Sequence, residues 1–548
     1  MNQNKKLLAA SICAALAAGT AHAATFNVTT NADSGPGSLR QALIDAGDNA
    51  EADVIELSAI SGQTIALTSG ALYSGFDEIT VNGAGVTINA GGDSRVIESY
   101  SSDLTLNDLT ITGGNADIEQ RGGGVGPGGG IYIITADLTL NNTMVTGNIA
   151  GREGGGISVV GYDSNVTIND SVISGNTGSK YGGGLFAYTG YGDISITGST
   201  ISGNSVEGGG LQPPPPDPGP NNTGSNLAQR LAARLKDPEQ RPAALQGEPG
   251  GGGQGGGGML LNNFGNVEII DSTISGNSAA FGAGLTAVTS DFGFVTVEGS
   301  TFSANQADQF GGAGVLQSRS GTRMSNSTIS GNSSGGFNGG IVFYSGGGGP
   351  ERGDVVPVQI EFTTVTGNSA LEIGGVGISS NAPASIRGSV IAGNSAATDP
   401  DIGFEPGSAA TADVEFSLIG TPTSSGTLNL DPASTNLLGE DPLLGPLADN
   451  GGPTQTHLPG AGSPLIDVIP AGEVGCGTTV IVDQRGETRP QGDGCDIGAL
   501  ENLAGVPPLP EILPVPTLDR IGLWLMTGLL GLAAVFGLRR RERKPRVS

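Results

Sequence analysis

Only two histidines and three cysteines occur in 548 residues, so few kinds of side-chain chemistry are open to this chain. Lys5 and Lys6, the apolar run Leu7 to Ala18 and the small-residue site Ala21-His22-Ala23 read as a secretory signal, with the mature start at Ala24. Cleavage there removes Cys13 and His22. His457, Cys476 and Cys495 stay. A zinc site needs more ligands than these at workable spacing. A Ser-His-Asp arrangement would have to use His457, and no nucleophile is evident beside it. In an oxidising compartment the two cysteines suggest one disulfide, Cys476–Cys495, closing a short loop. No catalytic, cofactor-binding or metal site is predicted.

Carboxylates are the remaining resource. Asp and Glu number 52 against 24 Lys and Arg, a net charge of −28. Between Ala24 and Pro514 the balance is 50 acidic to 15 basic residues. That argues against nucleic acid and against acidic polysaccharide as a natural partner. It permits Ca²⁺ binding, but no motif supports it, and a soluble, self-repelling surface accounts for the charge. Glycoside hydrolysis needs paired or clustered carboxylates, and no Asp-Asp occurs anywhere. An eliminating lyase would need an Asp cluster for Ca²⁺ and an Arg or Lys base. Arg323 or Arg387 could serve, but neither sits in a recognisable motif.

What would position any such group is a repeat. VTINDSVISGNTG at Val166–Gly178, ISITGSTISGNS at Ile194–Ser205 and VEIIDSTISGNSA at Val267–Ala279 are copies of one phrase. Further copies bring the Asn to Asn115, Asn148, Asn176, Asn204, Asn277, Asn305, Asn332, Asn368 and Asn394, mostly 26 to 36 residues apart. A second phrase, GGGI or GGGL, falls between copies, as at Gly154–Ile157 and Gly182–Leu185. In Val166–Asn169 apolar and polar residues alternate, a half-buried strand. Ile173 begins a second, Gly175-Asn176 is a turn, and the GGGI phrase supplies a third. Two or three short strands per period fit neither a leucine-rich repeat nor a propeller blade. They fit one coil of a parallel β-helix. Stacked at equivalent turns, the asparagines Asn148, Asn176, Asn204, Asn277, Asn305, Asn332, Asn368 and Asn394 are predicted to form a structural ladder. The Ser or Thr before each Gly-Asn offers a second one. At about 4.8 Å per coil, ~12 coils make a rod roughly 55–60 Å long.

The step from Asn204 to Asn277 is 73 residues. Removing Gln212–Gly258 restores the period. This stretch, PPPPDPGP, then NLAQRLAARLK, then GGGGQGGGG, reads as a flexible insert at one turn.

Three resemblances follow. The GN(S/T) and GGG(I/L) phrases resemble those of right-handed parallel β-helix surface proteins, implying an all-β, pectate-lyase-like solenoid over roughly residues 101–420. FNVTTNADSGPGSLRQALIDA at Phe26–Ala46 is similar to the opening segment of many such proteins, a strand, a polar turn and a short helix, implying an N-terminal cap within residues 24–100. DNGGPTQTHLPGAGSPLID at Asp449–Asp467, DQRGETRP at Asp483–Pro490 and CDIGALE at Cys495–Glu501 resemble the choice-of-anchor Q domain. That implies a structural C-terminal cap over residues 421–504 containing His457, Asp467, Asp483, Arg485, Arg489 and Asp496. Beyond a Pro-rich spacer at 505–516, Val515, Pro516, Thr517 and Leu518, the apolar run Ile521–Leu538 and the basic RRRERKPR resemble an IPTL-type sorting signal over residues 515–548. The run is long enough for a membrane helix, with the arginines cytoplasmic. The resemblance implies an exosortase-like membrane protease as partner, cutting near Pro516-Thr517.

Together these features predict an exported, envelope-anchored surface protein that binds a cell-surface or polysaccharide ligand without catalysis. A polysaccharide lyase or glycoside hydrolase of the same fold is the alternative.

Overall fold

The computed structural model describes residues 23–48, 51–75, 77–117, 126–207, 255–289, 292–345, 358–380, 383–404, 410–422, 425–430 and 436–502. The signal at 1–23 except Ala23, most of the 212–258 insert, the 505–516 spacer, Val515–Leu518 and the 521–538 run lie outside the described residues. No helix among the described residues is long and apolar enough to cross a membrane.

One coil explains all the others. Strand Val166–Asn169 runs into Val172–Ser174 through a corner at Asp170, whose φ is 49°. Gly175, also at positive φ, turns the chain into the short strand Thr177–Gly178. Gly182–Gly184 lead to Leu185–Gly190, and the next coil starts at Ile194. Each strand pairs in parallel with its copies above and below: Val166 with Leu138 and Ile194, Ile173 with Val145 and Ile201, Leu185 with Ile157 and Met259. Stacked strands make three faces, sheets of 25, six and eleven strands among the described residues. The chain is a parallel β-helix. Parallel strands joined by crossovers take the right-handed sense.

Alternation decides what fills the interior. Strands such as Val166–Asn169 and Ile194–Thr197 bury every second residue. Because pairing is in register, Val166, Ile194, Val267 and Val295 form one column and Ile168, Ile196, Ile269 and Val297 another, all essentially inaccessible to water. β-branched side chains stack well on such a pleated surface. The GGG turns are equally constrained. A Cβ on Gly183 would stand 2.3 Å from the Ser205 carbonyl oxygen and 2.4 Å from that of Gly257.

One boundary moves. Gly256–Gly258 precede Met259 as Gly182–Gly184 precede Leu185, with the same close packing and the same backbone bonding. The last residues of the predicted insert therefore belong to a coil. Asn115 lies outside the ladder: an extra glycine puts Gly114 at the rung, where its N–H donates to Asn148 Oδ1 at 2.8 Å.

A short helix packs on the first strands. Helix α1, Leu39–Ala46, is capped by Ser38 and buries Leu39, Ala42, Leu43 and Ala46. Arg40 ties it down, reaching the Ala71 carbonyl at 2.6 Å and Asp33 at 2.6 Å.

The C-terminal segment differs from a cap. Strands Thr427–Leu430 and Leu437–Leu438 still pair with the long face, so coils persist past residue 420. Residues 442–502 then fold back along the side of earlier coils. Thr454 Oγ1 donates to the Gly299 carbonyl at 2.8 Å, and Gly498 N–H to the Gly388 carbonyl at 2.7 Å. The reason lies in a second apolar cluster, in which Leu465, Ile469, Val480 and Ile497 pack on Phe362, Val390 and Leu418 of the coils.

Candidate functional site

The predicted ladder residues stand in one file. Each asparagine from Asn148 to Asn368 donates its backbone N–H and one Nδ2 hydrogen to Oδ1 of the next, at 2.8–3.0 Å. The second Nδ2 hydrogen goes back to a carbonyl of the preceding coil, as from Asn176 to Val145 at 2.9 Å. The amide thus uses its full donor and acceptor capacity in the interior. The file has a direction. It ends when Asn394 donates to Asp401 Oδ1 at 2.9 Å. A last rung needs only acceptors, which a carboxylate supplies.

A second ladder exists, one corner earlier than expected. Ser171 N–H donates to Ser199 Oγ, Ser199 to Ser272, and Ser272 to Ser300, each at 3.1 Å. At the position before Gly-Asn, Ser174 makes a hydroxyl contact with Thr146 at 3.2 Å. The sequence signal was available. Each ladder Ser or Thr follows a residue at positive φ, such as Asp170, Gly198, Asp271, Gly299 and Asn326.

The residues grouped by the C-terminal motifs do come together. Cys476 and Cys495 form a disulfide with Cα atoms 5.9 Å apart. Arg485 pairs with Asp483 at 2.7 Å and Arg489 with Glu501 at 2.6 Å, with the second pair fully buried. Arg489 also donates to the carbonyls of Asp496 and Gly498, and its guanidinium lies 4.5 Å from the Phe362 ring centroid. Asp467 N–H donates to Asp496 Oδ1 at 2.8 Å. Glu501 is the member that the motif reading did not single out.

His457 does have a hydroxyl beside it. Its Nε2 lies 2.8 Å from Ser330 Oγ and its Nδ1 2.7 Å from the Gly445 carbonyl. With Nδ1 donating to that carbonyl, Nε2 accepts from Ser330. Burial lowers the His457 pKa, consistent with a neutral ring. The orienting group is a carbonyl rather than a carboxylate, and Ser330 is 6% exposed. This is a crossbar between the flank and the coils.

Proton balance in the buried cluster is testable. Burial lowers Arg489 and pushes Glu501 up to about 7. Asp483, Asp496 and Glu501 face two guanidiniums, so the extra proton sits on the carboxyl side. A carboxyl raised in the folded state holds a proton that the unfolded chain has released. Its stabilisation is complete below the ordinary value of 4.5 and is lost as pH rises through about 7. Urea titrations between pH 5 and pH 8 should show the flank weakening by up to about 3 kcal/mol as pH rises. Glu501→Gln should flatten that trend. His457 acts in the opposite sense, losing stability as pH falls below 6.5, and is common to both proteins. Equal slopes in the two would dismiss the assignment.

The two arginines considered as bases lie on one outer face. Both are paired, Arg323 with Glu361 and Arg387 with Glu415, each at 3.0 Å. A guanidinium held by a carboxylate stays protonated and cannot take a proton. An open groove of ≈ 310 Å³ runs past Ser385, Arg387, Asp413, Glu415 and Asn429. Among the described residues no three His, Cys, Asp or Glu gather as a metal site.

These features define a parallel β-helix with a laterally docked C-terminal segment. No family model and no curated protein matches the chain. Solved structures include a match described as "Crystal structure of pectate lyase Pel9A", with 11% identity, a TM-score of 0.37, and coverage of 88% of this chain and 98% of that one. At that TM-score the likeness carries no argument; the solenoid rests on its own strand pairings.

Proposed function

We propose that this chain is an exported, envelope-anchored rod that binds a surface ligand and performs no chemistry on it. The observation that supports this best is the use already made of its reactive groups. Ser330 and His457 bridge two packed surfaces, and Arg323 and Arg387 are held by carboxylates. The signal at 1–23 exports the chain. The segment 515–548 holds it in the inner membrane until an exosortase-like protease cuts near Pro516-Thr517. Nucleic acid is not a partner of so acidic a surface.

Fractionation of producing cells, with the last peptide of the mature protein mapped by mass spectrometry, tests this. A surface-exposed chain ending near Val515–Thr517 is the expected result. An uncut chain with Arg539–Ser548 intact in the inner membrane would overturn the sorting step. The groove beside Arg387 and Asp413 favours one other reading, a polysaccharide lyase or hydrolase. Turnover of any polymer on a broad substrate panel would establish that reading instead.

A further inference from the structure

Where the eleven-stranded face turns back to the long face, successive coils each put an aromatic ring at the surface. The residues are Tyr162, Tyr191, Phe264 and Phe292. Three of the four belong to one recurring dipeptide: Tyr191-Gly192, Phe264-Gly265 and Phe292-Gly293. The glycines let the turns stack backbone on backbone. A Cβ on Gly192 would stand 1.8 Å from the Ser164 carbonyl oxygen, and one on Gly293 1.9 Å from that of Gly265. That close contact holds the first three rings in step, one per coil. Ring centroids are 5.0 Å apart for Tyr162–Tyr191 and 5.4 Å for Tyr191–Phe264, with the planes tilted 79° and 42°.

Tyr191 and Phe292 face water, and Tyr162 and Phe264 are half-exposed. Tyr191 is 47% and Phe292 64% exposed, in a chain only 4% aromatic. Aligned exposed aromatics mark a contact surface. The neighbouring polar row says which kind. Asp163, Asn165, Asp193 and Asn266 are exposed beside the rings. Asn165 Oδ1 accepts the Asp193 N–H at 2.9 Å, and Asp193 Oδ1 the Asn266 N–H at 2.7 Å, which fixes the row. No Lys or Arg occurs in these turns. Ring faces are electronegative and favour C–H groups. The adjoining carboxylates accept from hydroxyls and repel anions.

We propose that this stripe is a binding surface for an uncharged polysaccharide lying along the rod axis. The C–H faces of its sugar rings would rest on Tyr162, Tyr191, Phe264 and Phe292. Its hydroxyls would donate to Asp163 and Asp193. The proposal rests on the ligand-binding reading above and gives that reading a location and a ligand class.

Affinity electrophoresis of the intact chain tests it, in native gels holding a soluble β-glucan, a galactomannan or polygalacturonate. Retardation by a neutral polymer and none by polygalacturonate is expected. Tyr191→Ala with Phe292→Ala should weaken the retardation by about tenfold or more, the loss of stacked rings, with an unchanged thermal midpoint. Tyr191→Trp should retain it. If the double variant loses its thermal transition, Phe292→Ser, at the more exposed position, decides in its place. A variant retarded like the wild type overturns this surface while leaving ligand binding standing. Retardation by polygalacturonate alone overturns the ligand class. A wild-type chain that no polymer retards overturns the stripe; if it also adheres to no cell surface, the ligand-binding reading falls with it.

Discussion

Replacing Asn204 with leucine is expected to destabilise the coils around it by about 4 kcal/mol, measured by urea unfolding and amide exchange. Leucine has nearly the right shape, so packing is not the issue. The loss is polar. Asn176 gives its backbone N–H and one Nδ2 hydrogen to Asn204 Oδ1, each at 3.0 Å. Without that oxygen two buried donors are stranded. The Ile173 carbonyl loses its 2.9 Å bond from Asn204 Nδ2 as well. Unmet buried donors cost far more than a made bond contributes. Asn115→Ala is the control. Asn115 lies off the ladder, its Oδ1 accepting the nearby Asp117 N–H, so the change should stay within about 0.5 kcal/mol. In a stacked solenoid the damage should be local, with exchange rising in adjacent coils first. A loss below about 1 kcal/mol at Asn204, against the estimate from stranded donors, would mean the ladder is ornamental.

Arg489→Met is expected to release the flanking segment. The side chain is entirely buried, and above pH 7 removing it leaves the Glu501 carboxylate without its 2.6 Å partner, held by the Asp496 and Gln491 N–H groups and next to the Asp496 carboxyl. Breaking such a pair by removing one member costs about 3–5 kcal/mol. Removing both, in Arg489→Met with Glu501→Met, should cost much less, because no lone charge remains. The measurement is limited proteolysis across residues 442–502, alongside the urea midpoint. Release should leave the coil core folded, since that core is continuous beneath the flank. If the double variant were as unstable as the single, packing around Phe362 rather than charge would govern docking.

Much of the coil was legible because its residues repeat. Alternation in Val166–Asn169, the Gly-Asn turn and the GGGI phrase each fix a local conformation, and stacking extends it. The flank was not legible, and the reason is specific. Ser199–Asn204, Ser272–Asn277 and Ser327–Asn332 spell the same STISGN. Yet Thr200 and Ser202 are half-exposed, as are Thr273 and Ser275, while Thr328 and Ser330 are buried. Identical phrases meet different surroundings because a segment over a hundred residues away covers only the later ones. Ser330 could not be told from Ser202 as the partner of His457. One clue was present. Phe362 and Phe416 take positive φ at corners where other coils carry Asn, Asp or Gly. A bulky residue adopts that conformation rarely. Here the Phe362 ring is fully buried in the flank cluster.

The direction of the asparagine file makes its own two ends electrically unlike. Every side-chain amide from Asn148 to Asn394 sends one Nδ2 hydrogen to an oxygen at a higher residue number, and from Asn176 on its own oxygen accepts from the preceding rung, so the amide dipoles share a component along the axis. The positive pole of that line falls at the last rung, where Asp401 supplies the negative group. One carboxylate both receives the final hydrogen bonds and sits where the accumulated field favours an anion.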